Sequence, residues 1–200
     1  MPETIILADG DFPSHPLALE WLRQCPYVVC CDGAANTYIR SGRMPEAIVG
    51  DGDSLLPGIK ERYASLIHSE TEQETNDLSK AFRFCLSQER KRITIMGATG
   101  KREDHTIGNV SLLADYMEQA EVSMMTDYGI FVPIREDSMF ESYIGQQISV
   151  FNMNSTALSA EGLAYPLSVF TNWWQGTLNE ALAKHFIIRT EGKVLVFRTF

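Results

Sequence analysis

The chain has 200 residues, 44% of them hydrophobic and 22% charged, ordinary proportions for a globular protein able to bury a real core in one large domain or two small ones. A formal net charge of −9 argues against nucleic acid or an anionic membrane as the main partner, because both call for a basic footprint. Phosphates remain possible ligands if a metal ion carries the positive charge.

Residues 1–10 have no basic leader and only a short apolar run, so neither a signal peptide nor a membrane span is expected, and a cytoplasmic setting is. Residues 4–8 read as a first strand, followed by the turn Asp9-Gly10-Asp11 and a helix carrying Leu17, Leu19, Trp21 and Leu22. A second strand spans 27–31, and Asp32-Gly33-Ala34-Ala35-Asn36 turns abruptly into a helix ending near Gly42. The run 47–49 is the third strand. A helix over 57–65 leads to a weak fourth strand at 66–68, and Leu78, Ala81, Phe82, Cys85 and Leu86 then recur at the spacing of an amphipathic helix. Strand five covers 92–98. A helix over 106–119 presents Ile107, Val110, Ala114 and Met117 on one face, and strand six covers 121–125. This alternation implies right-handed crossovers and a mostly parallel, Rossmann-like sheet in a three-layer α/β/α domain over 1–127. Residues 128–200 read differently: strands at 129–134, 147–153, around 160–169, 185–189 and 194–199 form a small all-β, sandwich-like domain, with Glu191-Gly192-Lys193 as a tight hairpin turn. Cys25, Cys30, Cys31 and Cys85 lack zinc-ligand spacing and read as free thiols.

In an open parallel sheet, ligands bind beyond the carboxyl ends of the strands. Asp51 and Asp53 leave strand three together, one residue apart and so on the same side, and their repulsion must be relieved by solvent, a shared proton or a cation. A cation is the reading preferred here; the alternative is a solvated loop in which Asp53 caps the next helix. Asp32, Asp77 and Asp104 fall in neighbouring loops, where each alone could be a helix cap. As a group of hard carboxylates they suit Mg²⁺, which takes oxygen ligands together with water and substrate phosphates. Lys80, one turn after Asp77, and Lys101 and Arg102, just before a helix, are candidate phosphate contacts. The loop from Gly97 does not fit the spacing of a P-loop, and no dinucleotide fingerprint follows strand one.

These residues carry a resemblance to the thiamine pyrophosphokinase family. Cys31-Asp32-Gly33-Ala34-Ala35-Asn36 is similar to its C-A-D-G-G-A-N segment, and Gly50-Asp51-Gly52-Asp53-Ser54 to G-D-F/M-D-S. The segment from Glu72 through Asp77 to Lys80 resembles D-Q-D-x-T-D-x-x-K, with Glu72, Glu74 and Asn76 as departures. The segment from Gly97 to His105, followed by Asn109, resembles G-x-x-G-G-R-x-D-H-x-x-x-N, with Lys101 in place of a Gly. Further on, Gly162-Leu163-Ala164-Tyr165-Pro166-Leu167 resembles G-L-x-W/Y-x-L, and Gly176-Thr177-Leu178-Asn179-Glu180 resembles G-x-S-N-E, with Leu178 in place of Ser.

The resemblance implies transfer of a pyrophosphoryl group from ATP, the co-substrate, to the hydroxyethyl oxygen of thiamine. Mg²⁺ would be held by Asp51, Asp53, Asp77 and Asp104, with Lys80 and Arg102 neutralising phosphate charge. Asp32, Gly33, Asn36, Thr99, Gly100, Asp104, His105 and Asn109 would position the nucleotide. Tyr165 would stack on thiamine, with Thr177 and Asn179 beside it, and the family's arrangement implies a homodimer with the active site at the subunit interface. The other readings are a pyrophosphokinase for another hydroxymethyl heterocycle such as a pterin, a hydrolase that passes the group to water, and a non-catalytic thiamine or nucleotide sensor.

Overall fold

The structure, a computed structural model, describes residues 2–200. Two compact units divide them: residues up to Leu112 with Gln119–Asp127, and Leu113–Glu118 with Tyr128–Phe200. In the first unit the elements run β1 (Thr4–Leu7), α1 (Pro16–Gln24), β2 (Val28–Cys31), α2 (Ala34–Arg40), β3 (Ala47–Gly50), α3 (Pro57–Arg62), β4 (Ile67–Ser69), α4 (Asp77–Ser87), β5 (Arg92–Met96), α5 (Glu103–Tyr116) and β6 (Glu121–Met125). The strands are all parallel in the order β4-β3-β2-β1-β5-β6.

Four-residue apolar runs such as VVCC and AIVG are buried along their whole length, as strands of a parallel sheet covered on both faces must be. Proline at the first turn starts α1 and α3, where its missing N–H has no intrahelical partner to lose. Asn76 caps α4 by accepting from the Ser79 N–H at 2.9 Å. The chain steps outward from β1 to β4, then returns through α4 to set β5 against the free edge of β1 and continues to β6 on the opposite side. With right-handed crossovers, this reversal puts α1 to α3 on one face and α4 on the other. It also opens a crevice beyond the carboxyl ends of β1 and β5, where the connections diverge.

The second unit is built from β7 (Gly129–Ile134), β8 (Ser138–Glu141), β9 (Gln147–Asn152), β10 (Leu158–Glu161), β11 (Asn179–Glu180), β12 (His185–Thr190) and β13 (Val194–Thr199). Four of these pair antiparallel in the order β11-β9-β13-β7 and three in the order β10-β12-β8. Ile148, Val150 and Val196 from the first sheet and Phe140, Phe186 and Ile188 from the second share one core.

Three expectations need correction, and two short strands went unforeseen. Glu191-Gly192-Lys193 is not a hairpin turn, because β12 and β13 lie in different sheets and the turn carries the chain from one to the other. Strand structure around 160–169 stops at Glu161, after which only an isolated bridge joins Leu163 to Ala181. The short strands β8 and β11 lacked a legible alternation. On α5 the buried residues are Leu113 and Tyr116, and Ile107 is 59% exposed, because the start of that helix borders a cleft instead of the core.

Candidate active site

Beyond the carboxyl ends of the first unit's strands lies a cleft of about 480 Å³. Its walls are the loops on either side of the divergence between β1 and β5, and these two loops remain paired after the strands end. The N–H groups of Ala8, Gly10 and Asp11 donate to the carbonyls of Met96 (2.8 Å), Gly97 (2.6 Å) and Thr99 (2.8 Å). Gly97 has φ +64°, and a Cβ there would stand 2.6 Å from the Ala8 carbonyl, so only glycine permits this approach.

Asp9, Asp51 and Asp77 line the cleft from the loop after β1, the loop after β3 and the start of α4. Lys80 also lines it, 3% exposed and 3.1 Å from Asp77, a nearly dehydrated cation one turn into the same helix. Asp51 accepts from the Asp53 N–H at 3.1 Å and from the Gln73 amide at 3.4 Å; the backbone bond first, then Gln73 and the charge of Lys80, hold its carboxyl below the usual range. Asp32 is buried beside it. One of its oxygens accepts from the Ser54 N–H at 3.1 Å, and the other, Oδ1, is buried with no hydrogen-bond partner. Burial first, then the charges of Asp77 and Asp51, push the Asp32 carboxyl up. Two carboxylates facing one another are acceptor against acceptor, an arrangement that calls for a proton or a cation between them.

Among the described residues no group of three or more His, Cys, Asp or Glu is assembled closely enough to hold a metal ion as it stands. The oxygens available for a hard divalent cation in the cleft are those of Asp9, Asp51 and Asp77, with the unpartnered Oδ1 of Asp32 next to them. The donor chemistry therefore fits Mg²⁺, which keeps much of its own water. Asp53 and Asp104 do not line the cleft. Asp53 is exposed, and Asp104 accepts from Arg102 Nε at 3.1 Å and Nη2 at 2.6 Å, which holds its carboxyl at about 2.

Of the other expected residues, Thr99, Gly100, Arg102, His105 and Asn109 line the cleft. Asn109 donates to the Ala98 carbonyl at 2.8 Å and accepts from Asn76 at 3.3 Å, tying α5 to the loop before α4. Gly33 and Asn36 do not line it. Gly33 sits so close to Asp9 that a Cβ would lie 2.7 Å from that carboxylate, and the Asn36 amide braces the Ser54 carbonyl and the Leu56 N–H at 2.8 and 2.9 Å. Asp9 escaped the reading of the sequence although it follows β1 as Asp32 follows β2, so the same rule could have found it. Lys101, the residue in place of a Gly, pairs with it at 3.2 Å.

In the second unit Tyr165 is 64% exposed. Asn179, expected to contact substrate, is instead buried. Its side chain accepts from the Tyr165 N–H at 3.0 Å and from the Glu180 N–H at 2.9 Å, and donates to the Tyr165 carbonyl at 2.8 Å, so it fixes the backbone under the ring. The Thr177 hydroxyl donates to the Trp174 carbonyl at 2.7 Å, and the exposed Leu178 is held at φ +62°.

The family profile described as "Thiamin pyrophosphokinase, catalytic domain" matches residues 18–125, and the one described as "Thiamin pyrophosphokinase, substrate-binding domain" matches 129–197. The chain belongs to the thiamin pyrophosphokinase family. Among curated relatives, thiamine pyrophosphokinase 1 of Oryza sativa subsp. japonica is 30% identical over 129 residues, covering 52% of this chain and 49% of that protein. Thiamin pyrophosphokinase 1 of Caenorhabditis elegans is 30% identical over 110 residues, 50% of this chain and 45% of its own. The chain thus spans about half the length of the curated relatives it matches. Among solved structures, the thiamine pyrophosphokinase of Bacillus subtilis superposes with a TM-score of 0.81 at 20% identity, covering 98% of both chains, a likeness of fold.

Proposed function

We propose that the chain transfers the pyrophosphoryl group of ATP to the hydroxyethyl oxygen of thiamine, giving thiamine diphosphate and AMP. The observation that carries this reading is the cleft at the divergence of β1 and β5, where Asp9, Asp51 and Asp77 meet a buried Lys80. The thiamine oxygen would bond to the β-phosphorus as the bond from that phosphorus to the α,β-bridging oxygen breaks; AMP keeps the bridging oxygen, and the alcohol proton passes to a carboxylate or to water. Such a transfer depends on positioning and on stabilising charge more than on covalent chemistry by the protein. Asp51 and Asp77, with Asp9, would hold Mg²⁺, which when bound neutralises and orients the phosphates. Lys80 would meet the phosphates from the wall, and Arg102 would do so once released from Asp104. Thr99, Gly100, His105 and Asn109 would seat the nucleotide from the loop after β5 and the start of α5.

Residues 1–127 would then be the ATP-binding part and 128–200 the thiamine-binding and dimerising part, with Tyr165 as the aromatic platform for the cationic thiazolium and flat pyrimidine. A cytoplasmic homodimer with the active site at the subunit interface completes the proposal. Tyr165, Trp174, Leu178 and Leu182, all more than half exposed on the second unit, support it. No helix among the described residues is long and apolar enough to cross a membrane.

The deciding experiment incubates the purified protein with ATP, Mg²⁺ and thiamine and separates the products. AMP and thiamine diphosphate in equal amounts support the proposal. AMP formed without thiamine indicates transfer to water, and turnover only with a hydroxymethyl pterin moves the acceptor to another heterocycle.

A further inference from the structure

The segment between β4 and α4 brings Gln73, Thr75 and Asn76 to the cleft, yet it has no regular backbone structure to hold it there. One arginine and one glutamate organise it. Arg83, in the second turn of α4, donates through Nη2 to Glu72 at 2.8 Å and to Glu70 at 3.5 Å, and through Nη1 to the Thr75 hydroxyl at 3.1 Å. The Glu72 carboxylate also accepts from the backbone N–H groups of Glu74 (2.9 Å) and Thr75 (3.2 Å) and from the Thr75 hydroxyl. With its oxygens so engaged, first by Thr75 and Arg83, Glu72 is held at about 2 and stays ionised at any ordinary pH. Neither Glu72 nor Arg83 lines the cleft.

We propose that Glu72 and Arg83 are positioning residues, a clamp that locks the 70–76 loop onto α4 so that Gln73 meets Asp51 and Asn76 meets Asn109, and that Glu72 does not ligate the metal. The catalytic half of this inference rests on the function proposed above; the structural half does not. The loop is exposed and pinned by a fork whose geometry a single ammonium cannot copy, since lysine offers no planar pair of donors to span Glu72 and Thr75.

The test compares the full-length protein with Arg83→Ala, Arg83→Lys and Glu72→Gln, first without ligands. Hydrogen exchange at the Glu74 and Thr75 amides should run about tenfold faster or more in Arg83→Ala and Glu72→Gln, with partial restoration in Arg83→Lys. Unchanged exchange would overturn the clamp whatever the enzyme does. In turnover, kcat/KM for ATP should fall by about ten- to a hundredfold in Arg83→Ala and Glu72→Gln, the size expected from slight misplacement of cleft groups. The Mg²⁺ concentration for half-maximal rate should stay at the wild-type value in both. A rise in that concentration in Glu72→Gln but not in Arg83→Ala would make Glu72 a metal ligand and defeat the proposal. If the wild-type protein shows no transfer at all, the functional reading falls while the exchange measurement still decides the clamp.

Discussion

Asp32 and Asp51 show how two identical side chains are driven apart by their surroundings. Asp51, open to the cleft and bonded to the Asp53 N–H, is held below the usual carboxylate range, whereas burial and its acidic neighbours raise Asp32 above it. A carboxyl whose folded pKa is raised binds its proton more tightly folded than unfolded, so stability falls as pH rises from the unfolded value towards the folded one. Asp32→Asn removes that penalty, and its amide can still accept from Ser54 while donating to Asp51. We expect the urea midpoint of Asp32→Asn to exceed that of wild type at pH 7, with the gain vanishing below about pH 4. Asp51→Asn should show itself in function: kcat for AMP production at least about a hundredfold lower, in a protein that still folds as judged by circular dichroism. Wild-type turnover by that variant would remove Asp51 from the machinery.

Elements decide which of these residues can meet. The pairing of Asp77 with Lys80 was legible, because a one-turn spacing marks one helix face, and so was the place of Asp51, because an apolar run marks the strand end before it; its contact with Gln73, across an irregular loop, was not. The α5 face was not legible: a helix whose first turns border a cleft need not bury its apolar residues there, which is why Ile107 stands in solvent. Nor was the role of Asn179, since a sequence shows an amide but not whether a neighbouring backbone has claimed it. The strand pair β12 and β13 misled for a related reason, as alternation fixes which side of a strand is buried but not which sheet it joins. Asn179→Ala leaves the Tyr165 and Glu180 N–H groups and the Tyr165 carbonyl without this partner, so we expect a loss of about 1–3 kcal/mol in urea unfolding. If Tyr165 seats thiamine, KM for thiamine should rise more than KM for ATP, and equal changes in both would count against that role.

At the scale of the molecule, the sheet order separates residues that must end up adjacent. β1 is finished by residue 7, pairs with β2 on one side, and waits for Arg92–Met96 to cover the other. A growing polypeptide therefore carries an uncovered apolar edge, Ile5-Ile6-Leu7, until residues 92–96 have been made. A chain stopped at residue 90 should self-associate in light scattering at concentrations where the full-length protein does not, and a clear solution of that fragment would contradict this. During translation the same bare edge would make early ribosome-bound intermediates a target for holding chaperones, until the return strand closes it.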